Sequence, residues 1–380
     1  MNKLLSLIRI VFISGMIILI AIYLLSCLTP YFNPIYWRGF TYLALMFPWL
    51  LIAVVIVFVI SFVIFRNDYR YCGLIFLFIL LGYKNIFTTI GWKYSKEFHE
   101  IKEEGNLRLL SWNVDDFVVC EKRFDTLGVP RRNILAFIQQ ANADVICMQD
   151  FRNFEENKYM FSNVKFIMDT LKYPYYYFSV DDPCNGEYFP CKYGAVIFSK
   201  YPIIDSGRIA YSWTHLPEHL MYATINFNGK HVRVYNTHLR SMFLHQYGRI
   251  KGDNYHFVLD DTTIIFNGNR QQKLRYFDLV HINQAEIIKN ELNKCSLPYL
   301  FCADLNSVPS SYVYNYISDG MKDAFLQNGF GWGQSYSAIS QSLRIDVTLM
   351  NKLIDSKQFY CPKIQNASDH YPLVTDLVIH

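Results

Sequence analysis

The 380-residue chain has no run of five or more Lys or Arg, and its net charge of +4 is small for that length. It therefore shows no strong electrostatic footprint for nucleic acid, although a local patch need not appear in a total. There is no CxxC pair and no Cys/His cluster with zinc spacing, which sets aside the common structural zinc sites. Neither a GxSxG elbow nor a phosphate-binding glycine loop occurs, so nothing local points to a serine nucleophile or a P-loop. Internal repeats and low-complexity tracts are also missing.

Charge is missing altogether from long stretches near the N-terminus. The chain is 52% hydrophobic and 17% aromatic, and the excess is concentrated in the first ~95 residues. Segments 10–27 and 41–65 are uncharged and long enough to cross a hydrocarbon core of ~30 Å. The run 71–83 is short; it spans only if it continues past Lys84 to about residue 92, the alternative being a re-entrant or interfacial segment. Three spans are expected, at 10–27, 41–65 and 71–92. A secretory signal peptide is the competing reading of residues 1–27, opposed by the second long apolar segment and by the lack of a clear small-residue cleavage site.

Lys3 and Arg9 precede the first span, Arg66 and Arg70 lie between the second and third, and Arg38 alone occupies the other loop. The positive-inside rule then puts the N-terminus in the cytoplasm and the remainder of an integral membrane protein outside it. Cys184 and Cys191 bracket the loop PCNGEYFPC, and a disulfide there would agree with an extracytoplasmic domain.

After a polar connector at 97–106 the pattern changes to short β-type runs: LRLLSWNV, DVICMQD, GAVIFSK, YATINF, HVRVYNTHL, YLFCADLN, IDVTLM and PLVTDLVI. Several are nearly continuous in apolar residues, as strands covered on both faces are. RNILAFIQQANA and VHINQAEIIKNELNK have helical spacing. Residues 107–380 thus read as an α/β domain, in which loops beyond strand ends present polar groups.

Polar residues do fall at those ends: Asn113, Asp150, His238, Asp304, Asn306, Asp346 and the tripeptide Ser368-Asp369-His370. Asp150 with Asn113 supplies hard oxygen donors suited to Mg²⁺ or Mn²⁺. Asp304 is the candidate general base, and Asn306, on the same face if the strand continues, can donate to a phosphoryl oxygen. His370 can supply a positive donor, Asp369 can ligate metal, and Asp346 can orient the His370 imidazole. Each residue alone has a plainer explanation, since Asp-Leu-Asn at a strand end is commonly a turn or cap. Their joint occurrence, each after an apolar run, points to one convergent site.

The motifs SWNVDD, VICMQD, YGAVIFSKYPI, VYNTHL, CADLNSVPSS, RIDVTLM and SDHYPLV, in that order, resemble the endonuclease/exonuclease/phosphatase superfamily over roughly residues 106–380. That resemblance implies a four-layer α/β sandwich of two packed mixed β-sheets flanked by helices, and Mg²⁺- or Mn²⁺-dependent hydrolysis of phosphate esters. It implies metal-site roles for Asn113 and Asp150, with Asp369 metal-associated and Asp115 a secondary ligand. It further implies Asp304 as base, Asn306 as transition-state amide, His370 oriented by Asp346, and His238 as the second histidine. One departure is that the family's metal motif usually ends in Gln-Glu, whereas Asp150 follows Gln149 here; the shorter carboxylate must approach by a backbone shift or act through water. Expected partners are the lipid bilayer and a phosphate ester: a phospholipid, a small phosphate ester or nucleic acid. A catalytically silent scaffold is the reading from another class.

Overall fold

The computed structural model describes residues 2–37, 39–64, 70–93, 101–117, 129–156, 161–182, 190–211, 218–241, 268–337 and 340–380. They form two compact units, Met1–Ile90 with Val308–Tyr316, and Gly91–Ser307 with Ile317–His380.

The first unit contains helices α1 (Asn2–Cys27) and α2 (Gly39–Ile64), whose stretches Ile10–Cys27 and Gly39–Val63 are long and apolar enough to cross a membrane. The expected third span, 71–92, is a pair of helices, α3 (Arg70–Leu81) and α4 (Tyr83–Thr89), bent by 58°, which makes it a broken span or a re-entrant segment. The break falls at Gly82, where a Cβ would lie 2.1 Å from the Tyr23 hydroxyl oxygen. Tyr23 donates to the Ile79 carbonyl at 3.0 Å, so α1 occupies the space a side chain at 82 would need. Asn85 Nδ2 donates to the Ser26 carbonyl at 2.8 Å, which satisfies the donor side of a buried amide within an apolar bundle. Residues 308–316 join this unit through Ser310: its carbonyl accepts from Thr29 Oγ1 at 2.6 Å and its hydroxyl donates to the Ala44 carbonyl at 2.7 Å.

The second unit is an α/β fold. Its strands are β1 (Gly91–Trp92), β2 (Leu107–Asn113), β3 (Val145–Phe154), β4 (Tyr175–Asp182), β5 (Cys191–Ser199), β6 (Ile203–Ala210) and β7 (His219–Phe227). There follow β8 (Lys230–His238), β9 (Tyr299–Asp304), β10 (Lys322–Asp323), β11 (Phe330–Gly331), β12 (Asp346–Met350), β13 (Ile354–Tyr360) and β14 (Leu373–Ile379). Among the described residues there are two six-stranded mixed sheets, ordered β13-β14-β2-β3-β5-β4 and β10-β12-β9-β8-β7-β6. Each holds one parallel pair, β2/β3 and β8/β9, and a crossover helix intervenes in each case, α5 (Val129–Ala141) and α7 (Gly268–Lys294), as parallel neighbours require.

Alternation along the strands builds the layers. Leu107, Leu109, Val145, Cys147 and Ile197 of the first sheet share one cluster with Ile225, Val232, Val234, Leu300 and Cys302 of the second. Leu110, Trp112, Ile146, Met148 and Phe198 point the other way, onto Ile134, Phe137 and Ile138 of α5. Each such large side chain stabilises the fold by about 1.5–3 kcal/mol relative to exposure. α7 buries Phe277, Val280, Ala285, Ile288 and Leu292, a stripe at helical spacing.

The eight strand runs read from the sequence all appear. Strands β4, β6 and β13 do not stand out in it. The aromatic segment that begins at Tyr173 supplies edge strand β4 paired to β5, because consecutive Tyr and Phe favour a half-buried pleated surface even without polar alternation. Cys191 is disulfide-bonded, and Cys184 lies outside the described residues. Residues 242–267 are likewise outside them, and α7 begins at Gly268.

Candidate active site

Strand register sets the site. His238 at the end of β8 lies beside Asp304 at the end of β9, and Asp304 in turn faces Asp346 at the start of β12. On the other sheet Asn113 ends β2 beside Gln149 of β3. The two sheets are stitched beneath these ends by buried amides: Asn236 Nδ2 donates to the Met148 and Val196 carbonyls at 2.9 and 3.1 Å, and Gln149 Nε2 donates to Asn236 Oδ1 at 2.6 Å.

Asp150 sits where the β3/β5 pairing skips register between Met148 and Phe151, with φ +50°. Such a bulge turns a side chain out of the normal alternation. The short carboxylate reaches Asn113 Nδ2 at 3.1 Å and His238 Nδ1 at 2.8 Å, and accepts from the Tyr193 hydroxyl. Opposite the bulge, Gly194 leaves no room for a Cβ, which would fall 2.1 Å from the Ser179 carbonyl oxygen. Burial raises the Asp150 pKa, but the His238 charge and hydrogen bond, with Tyr193 and Asn113, outweigh it and hold the carboxyl well below the usual range.

Asp304 is almost fully buried. Its Oδ1 accepts from the Asn306 backbone N–H at 2.9 Å, and its Oδ2 accepts from Asn113 Nδ2 at 3.0 Å. That same Oδ2 lies between two imidazoles, 3.5 Å from His238 Nε2 and 3.6 Å from His370 Nε2. Asn306 adopts φ +46° and directs Nδ2 at the Leu239 carbonyl and at His238 Nε2, both 2.9 Å away. In the neutral ring His238 Nδ1 donates to Asp150 and Nε2 accepts from that amide; on protonation Nε2 becomes a donor facing Asp304.

His370 Nδ1 is 2.8 Å from Asp346 Oδ2. Its backbone is fixed by Trp112 Nε1 on its carbonyl at 3.0 Å and by the Ser368 hydroxyl, which accepts its N–H at 3.0 Å and donates to the Asn113 carbonyl at 2.8 Å. Burial works against both imidazolium ions. Asp150, Asp304 and Glu218 nevertheless raise His238 to about 9, and Asp346, Asp304 and Asp369 raise His370 to about 10. Asp346 is pushed up to about 6 by burial, partly offset by His370.

Asp369 is less enclosed, its Oδ1 3.9 Å from His370 Nε2, and its pKa is raised by burial and by Asp150 and Asp304 nearby. Asp115 is exposed, and its backbone N–H donates to Asn113 Oδ1 at 3.0 Å. Asn113, Asp150, His238, Asp304, Asn306, Asp346 and His370 therefore form one hydrogen-bonded and electrostatically connected group, with Asp115 and Asp369 at its rim. The ligand atoms of Asp304, Asp346 and His370 lie within 4.8 Å of one another. Of these, His370 Nδ1 and Asp346 are already spent on each other. The hard oxygens of Asp150, Asn113, Asp304 and Asp369, in a field negative enough to raise both histidines, suit a divalent cation of the Mg²⁺ or Mn²⁺ type.

The sequence named Gln149 and Ser368 without giving either a role, and gave none to Tyr193 or Asn236. Asn236 had a signal: it stands two residues before His238 and so shares its strand face. Tyr193 had none, because its partner lies across the sheet.

A model of the Endonuclease/Exonuclease/phosphatase family matches residues 110–370. No curated protein matches. Among solved structures, an endonuclease/exonuclease/phosphatase from Beutenbergia cavernae is similar at 18% identity and TM-score 0.50, over 73% of this chain and 72% of that one. The human Nocturnin catalytic domain is similar at 15% identity and TM-score 0.49, over 74% and 97%. A Bacteroides thetaiotaomicron mannosyl-6-phosphatase gives 13% identity and TM-score 0.46, over 72% and 100%.

Proposed function

The chain belongs to the endonuclease/exonuclease/phosphatase family, and on that premise we propose that it is a membrane-anchored phosphoesterase that hydrolyses a phospholipid or small phosphate ester. The observation that carries the reading is the placement of Asp304 Oδ2 between the Nε2 atoms of His238 and His370, with the Asn306 amide beside them.

In this reading Asp304 Oδ2 takes a proton from the attacking water, which approaches phosphorus in line with the departing ester oxygen. His370, held through Nδ1 by Asp346, presents Nε2 to a phosphoryl oxygen; the Asn306 amide and His238 hold the others as charge builds. A divalent cation held by Asp150 and Asn113, with Asp369 and Asp115 at the rim, would neutralise phosphoryl charge and stabilise the leaving oxygen. No covalent intermediate is required.

The lipid preference is supported by chain continuity. Trp92, three residues beyond the end of α4, pairs with Phe330 across β1/β11, both more than half exposed, and aromatic residues of this kind favour membrane–water interfaces. The Lys/Arg distribution and the disulfide at Cys191 support an extracytoplasmic domain. An extracytoplasmic nuclease, and a scaffold silenced by Asp150, are the competing readings.

The test is Mg²⁺- and Mn²⁺-dependent hydrolysis by the full chain in micelles, offered mixed phospholipid vesicles, a small phosphomonoester and plasmid DNA, with Asp304→Ala as blank. Lipid or small-ester turnover is expected. DNA cleavage alone would make it an anchored nuclease, and a folded protein silent with either metal on all three would leave the scaffold reading.

A further inference from the structure

The catalytic Asp346–His370 pair is held by a strap that the mechanism does not use. Ser335 is fully buried, and its hydroxyl accepts from the backbone N–H groups of both Ile345 and Asp346 at 3.0 Å. The Ser335 carbonyl accepts from the Tyr371 N–H at 2.7 Å, and the Ser337 N–H donates to the Asp369 carbonyl at 2.7 Å. Between them Tyr336 forms a β-bridge with His370, and its ring lies 4.8 Å from the imidazole. Three consecutive strap residues thus fix both partners of the pair, one from each side.

The strap's upstream end is tied to the residues that leave the membrane helices. Phe330 and Gly331 of β11 pair with Trp92 and Gly91 of β1, and the Lys93 N–H donates to the Gly329 carbonyl at 3.2 Å. The approach is close enough that a Cβ on Gly91 would fall 2.4 Å from the Gly329 oxygen. Below this ribbon Phe325 fills the space a side chain at Gly329 or Gly333 would need. Its ring carries the Arg344 guanidinium at 4.6 Å, and Arg344 stands two residues before Asp346. The juxtamembrane strand therefore reaches Asp346 along two routes, the strap and the Phe325–Arg344 stack.

We infer that Gly91–Trp92 and Ser335 are positioning elements for the Asp346–His370 pair, so that the active site is geometrically complete only when the juxtamembrane strand is seated. The inference rests on the catalytic reading of His370 given above. β1 has two residues and its one further backbone bond, from Lys93, is long at 3.2 Å, so loss of the β1/β11 pairing frees the upstream end of the strap. Misplacement on the scale of 1 Å can lower turnover on the order of a hundredfold while substrate binding persists.

The experiment uses the full chain in detergent micelles and compares wild type, Gly91→Val and Ser335→Ala, with near-UV circular dichroism to verify folding. Gly91→Val forces β1 away from β11; Ser335→Ala removes only the hydroxyl and serves if the first does not fold. Two quantities are read: the low-field resonance of the His370 Nδ1 proton shared with Asp346, assigned with Asp346→Asn, and the separate values of kcat and KM. Both variants are expected to shift or broaden that resonance and to lower kcat roughly tenfold to a hundredfold at little-changed KM. Folded variants with the wild-type resonance would overturn the inference, as would a response to Ser335→Ala with none to a folded Gly91→Val. If wild type hydrolyses no phosphate ester, the functional reading falls, while the resonance comparison still decides whether β1 positions the pair.

Discussion

Two sets of enclosed carboxylates in the second unit are neutralised in different ways. Away from the site, Asp376 meets Arg108 through two bonds of 2.7 and 2.9 Å, and Asp323 meets Arg344 at 2.7 Å, all four side chains being almost fully buried. At the site, Asp150, Asp304 and Asp346 take their hydrogen bonds and nearest contacts from amides, a tyrosine hydroxyl and two imidazoles. A guanidinium carries a permanent charge that completes a buried pair. An imidazole has a negotiable one, and here both are driven up by the surplus of negative charge. The first arrangement ties neighbouring strands together; the second has the chemistry of a candidate divalent-cation site.

The difference should show first in activity. Asp304→Ala and His370→Ala are each expected to lower kcat by about 10²–10⁴ with the fold intact, measured by initial rates alongside circular dichroism. Near-full activity in either would remove the mechanism. Stability should behave in the opposite way. Arg108→Ala strands Asp376 in the interior and should cost about 3–5 kcal/mol in denaturant titration, whereas Asp304→Asn, which keeps the side-chain shape and leaves His238 with Asp150 and His370 with Asp346, should cost less than that.

pH separates the two sets further. His238 and His370 are raised in the fold from 6.5 to about 9 and about 10. Their stabilising contribution is therefore complete below the unfolded value and is lost as pH rises through the folded ones. The melting temperature should fall between pH 6.5 and 10, and Mg²⁺ should flatten that slope by competing with the imidazolium ions for the same carboxylates. The smallest effect expected is that of Asp150→Glu, which lengthens the ligand at the β3 bulge. If the short side chain limits affinity, the Mg²⁺ concentration for half-maximal activity should drop several-fold, on the order of 1 kcal/mol; a rise would show that the bulge is fitted to aspartate.

Much of the fold was legible because apolar runs and polar termini are local signals. LRLLSWNV, VRVYNTHL and YLFCADLN each show a strand and its terminal chemistry within ten residues. β4 was not legible, since its Tyr/Phe run has strand propensity but no polar alternation, and only the pairing with β5 makes it an edge strand. The short run at 71–83 left a re-entrant segment open, but the position of the break at Gly82 was not legible, because it depends on Tyr23 of another helix. For Asp150 the sequence showed a shortened ligand and the need for a compensating shift, but the register skip opposite β5 is visible only in the pairing.

By itself the sequence determined which segments are apolar enough to enter a membrane, which run as strands, and which hard ligands, amides and imidazoles stand at their ends. Those properties follow from side-chain chemistry and short-range periodicity. The tertiary structure decided that the ends of two different sheets meet, that Asp304 faces both histidines, that Ser310 belongs with the membrane helices, and that β1 is tied to the strap beneath Asp346 and His370. Such juxtapositions are set by strand register and by packing between residues far apart in the chain, and no local window of sequence contains them.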